Sequence, residues 1–231
     1  MMQRRSLLAA AAAAPLIGGA GEGSEGDARA AMSPAQVALF ETPHIASLRP
    51  PLRLDYDFRR DEEGKAPVAD TIRLALRASA AGGGACCDVT PEFLTGPRAL
   101  RYPPAPNFHG NPLLLFALDR DTRELSAATG GTPNWFRNRF RQALATAAEL
   151  RPAEIEHEGR RVAASVVTLR PYGGEPRAGR YQNRLYAFTL SEAVPGWVYE
   201  IRTDLPAEGD AGAVVERIVF AGTAPLTEGA G

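Results

Sequence analysis

The sequence predicts an α+β protein: a curved antiparallel sheet, open or wrapped into a half-barrel, packed on a helical hairpin. Three observations carry this. Stretches of strictly alternating apolar and polar residues occur early and late in the chain. Between them lie two amphipathic helical stretches joined by Gly130-Gly131. No strand–helix–strand alternation repeats, which argues against a doubly wound parallel sheet. There is no internal repeat.

The elements follow in order. Ser33-Pro34 is a helix start, since Ser is a good N-cap and Pro a good first helical residue. That short helix presents Val37, Leu39 and Phe40. From Pro43 to Pro51 the prolines bias the chain to an extended path. The period then becomes two. Leu52 to Arg59 and Thr71 to Arg77 alternate apolar and charged residues, which predicts strands with Leu54, Tyr56, Phe58, Ile72, Leu74 and Leu76 facing inward. The connection through Gly64 suits an antiparallel pair, and a third strand is expected from Cys87 to Phe93.

The middle is helical. Asn111-Pro112 starts a helix running to about Thr129, with Leu114, Leu118 and Leu125 on one side and Leu115 beside them. Asp119 with Arg123, and Arg120 with Glu124, are spaced as a solvated face prefers. Thr132-Pro133 starts a second helix reaching about Leu150, with Phe136, Phe140, Ala143, Leu144 and Ala147 in one stripe. Strands are then expected at Glu154–His157, Arg161–Leu169, Asn183–Leu190, around Trp197, Tyr199 and Ile201 on a shared face, and at Val214–Ala221. From Thr223 onward the reading is a loose tail.

At the amino terminus, Arg4-Arg5 precedes an uncharged stretch from Leu7 to Ala20, and small residues follow. This is the layout of an export signal, and its apolar part is too short for a permanent membrane span. The run Gln3-Arg4-Arg5-Ser6-Leu7-Leu8 resembles a twin-arginine signal, although Gln3 departs from the usual Ser or Thr. An ordinary secretory signal carrying two arginines is the alternative. Cleavage is expected after Ala20 or Ala30, releasing a periplasmic protein with no transmembrane segment. The domain reading is residues 1–30 as signal and leader, 31–222 as one α+β domain, and 223–231 as the tail.

Composition narrows the function classes. About 200 residues remain after the signal, enough for one sizeable core. A net charge of −1 gives no support for a nucleic-acid partner. Lys65 is the single lysine, so nearly all positive charge is arginine, through a G+C-rich genome or a preference for bidentate anion recognition. The adjacent Cys86 and Cys87 read as small half-buried residues whose sulfurs point to opposite faces; a disulfide between them or a metal-linked thiol are the alternatives. No second cysteine pair completes a thiolate metal site, and no cofactor is implied.

Motifs for nucleophile elbows, phosphate loops and zinc helices are absent, and His44, His109 and His157 have no ligand-like spacing. Two stretches are candidates. Thr95 to Pro112 is a proline-stiffened segment carrying Arg98, Arg101, Tyr102 and His109, either a functional loop or a crossover covering the hairpin. Asn134 to Arg141 places Arg137 and Arg141 on one flank of a helix start, able to meet an anion or to pair with Asp119, Asp121 and Glu124.

The chain also resembles an uncharacterised family of exported bacterial proteins. The residues concerned are Thr42-Pro43-His44, Gly110-Asn111-Pro112, Thr129-Gly130-Gly131, Phe136-Arg137-Asn138-Arg139, Phe188-Thr189-Leu190-Ser191 and Val194-Pro195-Gly196. No activity comes with that resemblance. A sheet wrapped over helices looks like the half-barrels of lipoprotein carriers, a fold-level analogy. The leading expectation is a non-enzymatic module for an amphipathic or anionic small molecule or an envelope protein. In it, Tyr56, Phe58, Tyr186, Phe188 and Trp197 line a cavity with arginines at its rim. The expected ligand-binding set is Arg98, Arg101, Tyr102, His109, Arg137, Arg141, Tyr186 and Trp197. The rivals are an acid–base hydrolase using His109 with Asp88 or Glu92, and an envelope scaffold marked by an exposed apolar patch.

Overall fold

The computed structural model of the chain describes residues 32–79 and 86–226. The expected export signal and leader, the Gly82-Gly83-Gly84 turn and residues 227–231 lie outside the described residues.

Nine antiparallel strands form one curved, unclosed sheet in the order β4-β3-β2-β1-β9-β8-β7-β6-β5. Strands β1 (Leu52–Glu62), β2 (Val68–Ala78), β3 (Cys87–Phe93) and β4 (Ala105–Phe108) precede the hairpin of α2 (Leu113–Thr129) and α3 (Pro133–Thr146). Strands β5 (Glu149–His157), β6 (Arg160–Leu169), β7 (Leu185–Leu190), β8 (Val198–Leu205) and β9 (Val214–Pro225) follow it. The two halves are joined where β1 pairs with β9, from Leu52 opposite Pro225 to Glu62 opposite Val214.

The strand alternation appears as expected. Leu54, Tyr56, Phe58, Ile72, Leu74, Leu76, Tyr186, Phe188 and Leu190 are all buried. The opposite face carries charges satisfied along a strand, as in Arg53–Asp55, Arg59–Asp61 and Arg202–Asp204. Phe136, Phe140 and Leu144 of α3 and Leu113, Leu114 and Leu125 of α2 close the core from the helical side. Removing an aromatic ring from such a packed position costs about 3–5 kcal/mol.

Local chemistry sets the helix ends. The Asn111 side chain accepts from Leu113 N at 3.0 Å. Gly130, at φ 73°, ends α2 in the left-handed conformation glycine tolerates. Thr132 caps α3 by accepting from Trp135 N, with Pro133 in its first turn. At the start of the described chain, Ser33 and Gln36 form a capping box around α1 (Pro34–Gln36), which runs into a π-helical turn, Val37–Glu41.

Several expectations are corrected. The segment from Thr95 to Pro112 holds a 3₁₀ turn, Gly96–Arg98, and strand β4. Helix α3 stops at Thr146, because the chain needs Glu149 onward for the nine-residue strand β5. Strand β8 begins at Val198, and an irregularity between Thr189 and Leu190 shifts its register, so Trp197 sits in the preceding turn and not on the Ile201 face. Strand β9 continues through Pro225, past the point where the tail was expected to start. Cys86 and Cys87 are joined in a disulfide, the alternative that strand alternation disfavoured.

A hydrogen-bonded hub connects four parts of the fold. His44 is fully buried; its Nε2 meets Ala38 O at 2.8 Å and its Nδ1 accepts from Asn111 N at 3.2 Å. These partners fix the neutral tautomer with the proton on Nε2. Asn111 Nδ2 reaches Tyr56 Oη and Gly196 O, each at 2.9 Å. Gly196 has φ 76°, and a Cβ there would stand 2.8 Å from Leu54 Cδ1, so only glycine fits this turn.

A candidate ligand groove beside the helical hairpin

The core chemistry against α2 is ionic. Arg120 and Asp121 of α2 are buried, although their helix spacing suggested a solvated face for Arg120. Glu216, on the inward side of β9, accepts from Arg120 at 2.9 and 3.2 Å, from Arg184 at 3.1 Å and from Arg60 at 2.9 Å. These guanidinium groups outweigh burial and hold the Glu216 carboxyl down at about 2. Arg184 also pairs with Asp121 at 2.6 Å, and the Tyr186 hydroxyl donates to Asp121. Burial raises the Asp121 carboxyl against the opposing pull of Arg184 and Tyr186. Charges this deep survive only when paired, and here each one is.

That network corrects the expected cavity. Tyr56, Phe58, Tyr186 and Phe188 are packed core residues. The space left beside Phe58 and Tyr186 is about 30 Å³, room for about one water-sized group.

A larger open space lies on another side of α2. Ser33 Oγ donates to Leu144 O at 2.8 Å, tying α1 to the last turn of α3. A groove of about 410 Å³ runs between this helical segment and the hairpin. Its apolar lining is Met32, Phe40, Leu115, Leu118, Phe140 and Leu144, and its polar lining is Gln36, Glu41, Asp119, Thr122, Arg137 and Arg141. A volume of this size falls within the range of small-molecule pockets. Asp119 is held by Arg123 at 2.7 Å and by Arg137 at 2.5 Å. Arg137 also donates to Asn134 at 2.9 Å. Arg141, by contrast, is exposed and has no ion pair among the described residues. The arrangement offers an apolar bed with one uncommitted guanidinium beside it.

Of the eight residues singled out in the sequence, the structure brings Arg137 and Arg141 together on this groove. Tyr102 lies close by: its hydroxyl donates to Phe116 O at 3.0 Å, its ring stacks on Phe116, and Arg123 sits 5.9 Å above it. Burial and the Asp119 carboxylate raise the Tyr102 hydroxyl well above its ordinary range. The remaining five are placed elsewhere. Arg98 pairs with the buried Asp70 carboxylate at 2.8 Å, and Arg101 is exposed. Tyr186 is in the buried network, and Trp197 packs edge-on against His44. The His109 ring is exposed and hydrogen-bonds neither Asp88 nor Glu92; Asp88 accepts from Asn107 N, and Glu92 faces Arg73.

Sequence reasoning missed Phe40, Leu118 and Met32 as one surface, because Met32 and Phe40 lie far along the chain from Leu118. It also missed Glu216 and Arg184. A signal existed for Glu216, since it stands on the inward parity of β9 between Val214 and Ile218.

No protein-family model matches the chain. No curated protein matches it either. Among solved structures, a LolA-superfamily protein from Nitrosomonas europaea is similar over 86% of this chain and 95% of its own, at 11% identity and a TM-score of 0.24. That likeness is too slight for anything in that protein to be carried to this one. No helix among the described residues is long and apolar enough to cross a membrane.

Proposed function

We propose that the protein is a non-enzymatic binding module that takes an amphipathic anion in the groove between α1 and the hairpin. One observation carries the reading: Arg141, without a carboxylate partner among the described residues, stands beside a groove whose bed is apolar. Burying an aliphatic tail there gains about 0.8 kcal/mol per methylene, and the anionic head is placed within reach of a free guanidinium. Location belongs to the same proposal. Arg4-Arg5 followed by the uncharged Leu7–Ala20 stretch supports export to the periplasm.

The probes are dodecanoate and dodecyltrimethylammonium, equal in tail and opposite in head charge, each titrated calorimetrically. Dodecanoate binds saturably and more tightly than the cation. Leu115→Glu, which puts a carboxylate into the groove from an exposed position, and Arg141→Glu each weaken it. Absence of saturable dodecanoate binding, or binding indifferent to both substitutions, sinks the reading. The exposure of Met32 and Leu115 at the groove favours a second reading, docking of an apolar segment of an envelope protein.

A further inference from the structure

A second hollow lies on the other face of α2. It measures about 470 Å³ and is lined by Arg60, Glu62, Glu124, Arg180, Tyr181 and Arg184 among others. Both carboxylates in this lining are engaged. Glu62 is held by Lys65 at 2.6 Å and Arg60 at 3.2 Å, and Glu124 by Arg120 at 2.7 Å.

Arg180 differs from every other arginine around the hollow. Its Nη2 donates to Pro206 O at 2.9 Å and Gly212 O at 2.7 Å, and it meets no carboxylate among the described residues. Its Nε is buried and has no acceptor, and the same is true of the Nε of Arg184. A guanidinium carries five N–H donors. Here a half-buried one uses two of them on neutral carbonyls, in a polar hollow that Arg60 and Arg184 also line. Carbonyl dipoles balance a full positive charge only in part, so the field in the hollow favours an incoming anion.

We propose that this hollow is a binding site for a small oxyanion, a phosphate or carboxylate group received by Arg180, the one lining arginine without a carboxylate among the described residues. Nη1 of Arg180 keeps its N–H donors, so an anion oxygen is received there by a charge-assisted hydrogen bond while Nη2 stays on the two carbonyls. The site is separate from the groove and stands independently of the function proposed for it. The groove takes an apolar tail; this hollow takes a compact, strongly hydrated charge.

The test titrates inorganic phosphate and succinate into the intact protein at constant ionic strength, with heat as the readout. Saturable one-to-one binding of phosphate assigns a phosphate site, and of succinate a carboxylate site. In either case Arg180→Gln weakens binding by about tenfold or more, the loss of one charge-assisted contact. Arg180→Lys recovers part of it, as a point charge that cannot hold both carbonyls and the anion as the guanidinium does. Arg177→Gln, on the same 3₁₀ segment (Pro176–Asn183) but stacked on Trp135 and outside the hollow, leaves binding unchanged. Circular dichroism confirms that each variant is folded. If Arg180→Gln unfolds the protein, Arg180→Lys alone must still weaken binding while remaining folded. No saturable binding of either anion, or equal binding by the folded Arg180→Gln and parent proteins, overturns the proposal. Leu115→Glu weakens dodecanoate binding without touching this site, so failure of one reading is distinguishable from failure of the other.

Discussion

Arg120 on the helical hairpin and Glu216 on strand β9 meet through two hydrogen bonds, 2.9 and 3.2 Å long, with both side chains a tenth or less exposed. The pair links sheet and hairpin, and the Arg120 guanidinium also lies 4.9 Å from the centre of the Phe58 ring.

Removing one side of that pair leaves buried cations without their anion. Glu216→Ala therefore destabilises the protein by about 3–5 kcal/mol, because Arg120 and Arg184 both lose their shared partner. Urea denaturation followed by circular dichroism measures it. A loss below about 1 kcal/mol would show that the network is not desolvated in solution.

Near-neutral pH dependence comes from His44. Burial lowers its pKa below the ordinary 6.5, and the bond to Ala38 O only partly offsets this. The unfolded chain therefore binds a proton at His44 as pH falls through 6.5, while the folded protein does not. Stability from this residue is fully present above about 6.5 and declines below it, with a limiting slope of about 1.4 kcal/mol per pH unit. Urea midpoints between pH 5 and 7.5 fall on acidification in the parent protein. In His44→Gln the contribution of this residue to the slope disappears. A slope unchanged by that substitution would assign the acid sensitivity to other groups.

The two arginines of the groove separate stability from binding. Arg141→Ala leaves stability within about 0.5 kcal/mol, since the side chain is exposed and has no ion pair among the described residues. Arg137→Ala removes the contact to Asp119 and costs up to about 1 kcal/mol, the scale of a partly exposed pair. Thermal unfolding ranks them, and dodecanoate titration is expected to show the larger loss for Arg141→Ala. The opposite ranking in binding would move the anionic head to Arg137.

What was legible in the sequence was what depends on near neighbours. Period-two alternation marked β1 and β2 because every second residue, from Leu54 to Phe58 and from Ile72 to Leu76, meets the same apolar core. Thr132-Pro133 and Gly130-Gly131 marked the hairpin because caps act within a turn of helix. Strand β4 was hidden among prolines, since its pairing to β3 depends on residues some 20 positions away. The groove was harder still. Arg137 and Arg141 were visible as a pair at helical spacing, but the apolar bed beside them is assembled from α1, α2 and α3 only after folding. Arg120 was misread because spacing to Glu124 is the same whether a helix faces water or a sheet that carries Glu216. Pieces of sequence that looked unconnected, around His44, Asn111 and Gly196, meet in one hydrogen-bonded hub.

The seam between β1 and β9 has a consequence for biogenesis. Leu52 finds its partner at Pro225, 173 positions later, so the middle of the sheet stays open until residue 225 has been synthesised. The strands on either side of that seam can form hairpins earlier, but each presents an unpaired inner edge meanwhile. Contacts of such sequence separation slow folding, and open strand edges are the usual route to misassembly. The centre of the sheet is therefore the part that closes after the strands on either side of it.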